Sequence, residues 1–248
     1  KNLLFIFLLT SFLSFSQNEK RVALVIGNAN YTSYSALDNP ENDARLIAET
    51  LIKLNFEVIP AYNLKTVGEM YDYLTRFSEK RKEADIGLIY YAGHAVQSNG
   101  INYLLPTDVE INPDYKNSQL STKTVSLQSI KEYLSSQSNQ VNILILDACR
   151  DDPIPDLEKT RSGGSNKGLA YSEPEGILIA YSAEQNKQAF DGFGKNSYYA
   201  ESLAKNMLIP DIDIGAVFRK TRGDVRYITN KRQSPLFKDM GTNENSFF

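Results

Sequence analysis

Cys149 is the only cysteine and His94 the only histidine among the 248 residues of this chain. Together the two side chains could perform nucleophilic chemistry. A thiol attacks as its thiolate, and an imidazole titrating near pH 7 suits the task of taking the proton. Each also has a plainer reading, a lone Cys as a small buried hydrophobe and a lone His as a surface or core residue. Their surroundings favour the chemical reading. Asp85-Ile86-Gly87-Leu88-Ile89-Tyr90-Tyr91-Ala92 reads as a strand stopping at Gly93-His94, and Val141-Asn142-Ile143-Leu144-Ile145-Leu146-Asp147 as one stopping at Ala148-Cys149-Arg150. Both residues are thus expected just past strand ends, where open parallel sheets hold their ligands and where free backbone N–H groups can stabilise an oxyanion.

The elements that must position the pair follow from the periodicity of apolar residues. Arg21-Val22-Ala23-Leu24-Val25-Ile26-Gly27 is a near-continuous apolar run, the pattern of a strand buried on both faces. Asn39-Pro40-Glu41-Asn42-Asp43 opens a helix with an Asn cap, Pro at its first position and acids in its first turn. Residues 56–62 read as a strand, 66–84 as an amphipathic helix and 126–136 as a helix. Ser98-Asn99-Gly100-Ile101 carries a hairpin signal. A fifth long strand is expected at 176–182, helices at 197–208 and 214–229, and a last extended piece at 234–237. Strands alternating with helices predict a mostly parallel sheet covered on both sides.

The ends of the chain read differently from its middle. Lys1 and Asn2 precede the apolar run Leu3-Leu4-Phe5-Ile6-Phe7-Leu8-Leu9, and small residues Ser14 and Ser16 follow, the pattern of a signal peptide over residues 1–16. The run is too short for a stable membrane span, which needs about 20 residues. Export to the periplasm or beyond the cell is expected, and the single Cys then has no internal disulfide partner. Residues 20–248 are expected to form one domain, with 42% hydrophobic residues over the whole chain sufficing for a single core. A net charge of −3, with scattered basic residues, excludes nucleic acid as the expected partner.

The two strand-end segments, Tyr90-Tyr91-Ala92-Gly93-His94-Ala95-Val96-Gln97 and Ile145-Leu146-Asp147-Ala148-Cys149-Arg150-Asp151-Asp152-Pro153, resemble the active-site segments of the caspase-like peptidases. The bacterial metacaspase-like or orthocaspase branch is the closest in pattern. His94 and Cys149 are 55 residues apart, and caspases place their His about 50 residues upstream of the Cys. Val25-Ile26-Gly27-Asn28 with Tyr31, Asn102 to Asp108, Gly168-Leu169-Ala170, Ile179-Ala180-Tyr181-Ser182, and Asp191-Gly192 with Asn196-Ser197 resemble the same branch in the same order. The resemblance implies an α/β caspase-like sandwich: a mostly parallel six-stranded sheet with helices on both faces. It implies a cysteine endopeptidase in which His94 activates Cys149, with the backbone N–H groups of Ala95 and Cys149 as oxyanion donors. The family usually has Gly where this chain has Ala95, so a narrowed oxyanion pocket is one expectation.

Specificity follows from the same resemblance. Caspases read Asp with basic residues, whereas the metacaspase branch cuts after Arg or Lys, and Asp43 and Asp147 match its basic-residue pocket. From the residues alone, Asp43 is equally a helix-dipole residue, and Asp147 could pair with a backbone amide. A carboxylate fork matches guanidinium better than ammonium, so Arg is expected over Lys. Residues 150–168 read as an exposed loop; the resemblance implies self-cleavage at Arg150, Lys159, Arg161 or Lys167, and a solvated loop that is never cut is the alternative. No cofactor or metal site is required. Calcium activation is left open, with Asp108, Asp151 and Asp152 as candidate carboxylates but no spaced calcium-loop pattern. The resemblance implies a monomer acting on protein or peptide substrates. Two other readings stand beside this one. A non-catalytic caspase-like domain that binds peptides or partners draws its support from Ala95, and a nucleotide binder lacks a G-x-G-x-x-G turn at Gly27-Asn28-Ala29-Asn30.

Overall fold

The computed structural model describes residues 19–112, 115, 117–134, 140–149, 176–184, 189, 190, 192 and 194–239, with Asn117 and Cys149 described by their backbone. The expected signal peptide over residues 1–16, residues 150–168 with their four candidate cleavage sites, and Asp191 lie outside these residues. In chain order the elements are β1 (Arg21–Gly27), α1 (Pro40–Lys53), β2 (Phe56–Tyr62), α2 (Val67–Arg81), β3 (Ile86–Ser98) and β4 (Ile101–Leu104). They continue with α3 (Asn117–Leu120), β5 (Val125–Ser126), α4 (Leu127–Leu134), β6 (Val141–Cys149), β7 (Ile177–Tyr181), α5 (Tyr198–Met207), α6 (Ile214–Ile228) and β8 (Leu236–Asp239).

Six strands run in the order β2-β1-β3-β6-β7-β8. The first five are parallel and β8 closes the edge antiparallel to β7. Helices cover both faces, as expected of an α/β sandwich. Strand alternation sends Ala23, Val25, Leu88, Tyr90, Ile143 and Ile145 into the core shared with α1, α5 and α6. Leu24, Ile26, Ile89, Tyr91, Leu144 and Leu146 point into the opposite core, with α2 and α4. Burial on both faces is why these strands read as continuous apolar runs rather than alternating ones.

Most helix boundaries fall where their end signals stand. Thr66 caps α2 by accepting from the Glu69 amide at 3.2 Å, and Ser197 caps α5 by accepting from the Ala200 amide at 3.0 Å. Asn39 departs from expectation: it holds the cap position of α1 with helical φ and makes no side-chain cap bond. The hairpin turn is as its sequence indicates, with positive φ at Asn99 and Gly100.

One difference bears on the site. β3 does not stop before Gly93-His94 but continues to Ser98, because β4 turns back to pair antiparallel with Ala95–Ser98 where the β1 pairing ends at Gly27 and Ala92. β6 likewise reaches Cys149, which is the register partner of His94. The two residues therefore lie on neighbouring strands rather than in turns beyond them.

Below the site, a fully buried Arg81 ties α2 to the starts of β3 and β6. Its guanidinium donates to Asn142 Oδ1 at 2.8 and 3.1 Å, to the Val141 carbonyl at 3.2 Å and to the Ala84 carbonyl. Gly87 makes the space: a Cβ there would stand 2.2 Å from Arg81 Cδ and Nε. The Gly87→Ala substitution must push this buried network apart, and a loss of about 3 kcal/mol is expected from overpacking, read as a lowered midpoint in urea denaturation.

Candidate active site

His94 is 3% exposed, and both its ring and its main chain are anchored by hydrogen bonds. Its Nε2 lies 2.9 Å from the Ser35 carbonyl, so Nε2 carries the hydrogen and Nδ1 is the nitrogen able to take a proton. Tyr31 packs its ring 4.5 Å from the imidazole, and Tyr34 approaches edge-on at 6.5 Å. The main chain is fixed as firmly. The His94 amide donates to Tyr31 Oη at 2.7 Å, and the His94 carbonyl accepts from Tyr91 Oη at 2.6 Å and from the Leu105 amide at 3.1 Å. Strand register sets the Cys149 backbone directly across from His94, about 4.8 Å away at normal strand spacing.

Gly93 is the residue this arrangement cannot change. Its φ is +151°, and a Cβ would stand 2.7 Å from Tyr31 Oη and 2.9 Å from Tyr91 Oη. A glycine that reads as a strand breaker is here a strand residue making room for two hydroxyls.

Asp43 and Asp147 are brought together at the same end of the sheet. Asp43 is 2% exposed and Asp147 8%. Ser197 joins them: its amide donates to Asp43 Oδ1 at 2.9 Å, and its hydroxyl donates to Asp147 Oδ2 at 3.2 Å. Asn196 Nδ2 adds a second donor to Asp43 Oδ1 at 2.9 Å, and Tyr90 Oη a second to Asp147 Oδ2 at 3.0 Å. Asp43 sits in the first turn of α1, and Ser197 caps α5, so two helix N-termini lend partial positive charge to the pair. That does not offset burial. Removal from water first, and then the charge of Asp147, push the Asp43 carboxyl up to about 7, against the pull of its Asn196 and Ser197 hydrogen bonds. The Tyr90 and Tyr199 phenols are driven well above their ordinary value by burial first and by Asp147, so Tyr90 stays a protonated donor to Asp147. Two acids costly to bury are thus kept adjacent, at a place where structure alone would favour neutral groups. Asp147 lies two residues from Cys149 on β6, about 7 Å along the strand, a distance a long basic side chain spans.

Ala95 falls on the other face of β3. Its methyl is buried in the core cluster that holds Leu104, Leu146 and Ala148, and its backbone is in strand register with Leu104. The extra Cβ therefore points away from the face that holds Tyr90 and Asp147. Asp108 is exposed, and among the described residues no group of three or more His, Cys, Asp or Glu is placed to hold a metal ion. No described helix is long and apolar enough to cross a membrane.

A parallel sheet with a Cys and a His at facing register positions defines a class of fold and site together, and comparison places the chain within it. The model of the caspase domain family matches residues 20–246, and the chain belongs to that family. Among curated proteins it is similar to the human "Mucosa-associated lymphoid tissue lymphoma translocation protein 1" and to its mouse homolog, each at 28% identity over 176 residues. That alignment covers 69% of this chain and 19% of each relative, so the chain spans about a fifth of their length. Among solved structures it resembles the Drosophila initiator caspase Dronc, with a TM-score of 0.63 at 15% identity, covering 92% of this chain and 84% of that one. It also resembles caspase-1 from Spodoptera frugiperda, with a TM-score of 0.63 at 16% identity, covering 90% and 86%. The fold is caspase-like, and the domain is one of the cysteine-peptidase type.

Several site residues carry no role in the sequence reading. Ser35, Tyr90 and Tyr91 act through contacts that sequence alone does not pair, and Asn196 and Ser197 lie more than 150 positions from the Asp43 they bond. Tyr90, Tyr91, Asn196 and Ser197 stand in segments that resemble the family, which marks them as part of the site without assigning them a partner.

Proposed function

We propose that this chain is a cysteine endopeptidase that cuts protein or peptide substrates after Arg or Lys, using a dyad of Cys149 and His94. The observation that carries the reading is the buried Asp43–Asp147 pair joined by Ser197 beside the strand ends. Two carboxylates held against their own desolvation suit a guanidinium, which offers two parallel donors and one positive charge. The tautomer imposed by Ser35 supports His94 as the base, with Nδ1 taking the Cys149 proton. The oxyanion formed on attack would be held by the N–H groups of Ala95 and Cys149.

The active-site segments and the acid pair favour the bacterial metacaspase-like or orthocaspase branch. The chain acts as a monomer after export to the periplasm or outside the cell, needs no cofactor, and processes itself at a basic residue of the 150–168 loop. Calcium activation is a further arm of the test, with Asp108, Asp151 and Asp152 as the carboxylates in question. The reading of a non-catalytic binding domain drew on Ala95, whose methyl packs in the core.

Hydrolysis of fluorogenic peptides ending in Arg, Lys, Gln or Asp, with and without calcium, tests the specificity. Turnover after Arg exceeding that after Lys, with Gln and Asp peptides at least about 100-fold slower, is the expected outcome. Turnover after Asp alone would overturn the acidic pocket.

A further inference from the structure

The rim that holds Asp147 continues across β7 to the turn between α6 and β8. Tyr181 is in register with Leu146 on one side and with Leu236 on the other, so the residues just before Leu236 lie beyond the carboxyl end of β7, on the same rim as the acids. Gln233 is fully buried and fastens this turn. Its Nε2 donates to the Ser182 carbonyl at 2.9 Å, and its Oε1 accepts from the Phe190 amide at 3.1 Å. The Ser182 amide in turn donates to the Leu146 carbonyl at 3.0 Å, one residue before Asp147.

Charge changes sign along this rim. Among the described residues, Arg226, Lys231 and Arg232 pair with no carboxylate. Glu184 is already engaged by Arg222 at 2.7 Å and by the Ser234 hydroxyl at 2.8 Å, and Asp224 accepts from Asn206 Nδ2 at 3.0 Å. Arg226 donates only to Ser234 Oγ, at 3.1 Å. Arg232 is held more firmly than an exposed arginine ordinarily is. Its guanidinium carbon stands 4.9 Å from the centre of the Phe190 ring, and its Nε donates to the Thr229 carbonyl at 3.2 Å. Left-handed backbone at Asn230 (φ 49°) and Lys231 (φ 62°) turns the chain back from α6 to bring it there. The terminal guanidinium nitrogens, which carry the parallel donors that a carboxylate fits, make no hydrogen bond to described residues. A planar cation with its stem fixed and its fork open has less freedom left to lose on binding.

We propose that Arg232, with Lys231 and Arg226 around it, receives an acidic side chain of the substrate. Two strand spacings separate β6 from β8, about 10 Å, which an extended peptide covers in about three residues. The preferred protein sites then carry Glu or Asp about three or four residues from the basic residue at the cut. This rests on the peptidase reading above and adds to its acidic pocket a second contact of opposite charge.

Internally quenched peptides with one Arg, and with Glu, Gln or Lys placed about three or four residues before or after it, measure the effect. At low salt, kcat/KM is expected to be about 10-fold higher for Glu than for Lys at one of these positions, and about 0.5 M sodium chloride should bring the ratio to within about threefold. The ratio is read within each protein, so differences in folded or active fraction cancel. In Arg232→Gln it should fall below about threefold, and in Arg232→Glu the order of the two peptides should invert. An Arg232 that merely braces Phe190 would lower turnover of every peptide alike and leave the ratio at its parent value. Equal rates for Glu and Lys peptides in the parent at every position, or a ratio kept by both variants, would overturn the proposal, while cleavage after Arg in the Gln peptide would still uphold the peptidase reading. Should the Arg232 variants melt far below the parent, Lys231→Gln carries the test, with a fall in the ratio of about twofold expected. A parent protein that cleaves none of the peptides would refute the peptidase reading, and this proposal with it.

Discussion

Asp147→Asn is expected to lower kcat/KM on an Arg-ended peptide by about 100- to 1000-fold while leaving the fold at least as stable. The amide has the shape of the carboxyl and can still accept from Tyr90 and Ser197 through its oxygen, so the packing around it is kept. What it removes is a charge that is 8% exposed and was costly to bury. Losing one partner of a buried, hydrogen-bonded charge pair is worth about 3–4 kcal/mol of binding, which converts at 1.4 kcal/mol per factor of ten to the stated loss. Stability should move the other way, because Asp43 no longer faces a neighbouring negative charge. A purely structural Asp147 would show the reverse, a destabilised protein with unchanged kcat/KM per folded molecule. Peptidase assays and thermal melts on the same preparations separate the two.

Affinity for a basic side chain should also depend on pH, with a sign set by Asp43. Its carboxyl, raised to about 7 mainly by burial and then by Asp147, is largely protonated below neutrality. The pocket then presents one negative charge, and a guanidinium must expel a proton to meet two. In the Cys149→Ala protein, affinity for an Arg-ended peptide is expected to be flat above about pH 7 and to fall by up to about tenfold per unit below it. Folding stability responds in the opposite sense. A carboxyl whose folded pKa lies above its unfolded value of 3.8 contributes stability that is fully present below that value and is lost as pH rises through about 7. A Gln-ended peptide, titrated alongside by fluorescence anisotropy, subtracts any effect of His94. Asp43→Asn should flatten the Arg curve, and a slope that survives it would contradict the assignment.

Much of the frame was legible in the sequence because it rests on local signals. Arg21–Gly27 and Phe56–Tyr62 are strands with the expected bounds, and the helices α5 and α6 begin and end within a residue of their apolar periodicity. The juxtaposition of His94 with Cys149 was also legible, since both follow buried runs that pair in parallel. Gly93 misled: a strand was expected to end there, whereas Tyr31 Oη enters the ladder at His94, and a Cβ at residue 93 would collide with it. The short β5 and α3 left no mark, being too brief for a periodicity to register. Nor could the sequence reveal that Ser197 reaches both carboxylates, because that contact depends on α1, β6 and α5 converging.

Cys149, activated opposite His94, is proposed to attack the carbonyl of a basic residue. This is tested most directly by treating the protein with a peptidyl-arginine chloromethylketone and locating the adduct by mass spectrometry. One adduct is expected, on Cys149, forming at least about 100-fold faster than with the matching aspartyl reagent and lost in His94→Ala. No adduct on Cys149, or equal rates with the two reagents, would contradict it.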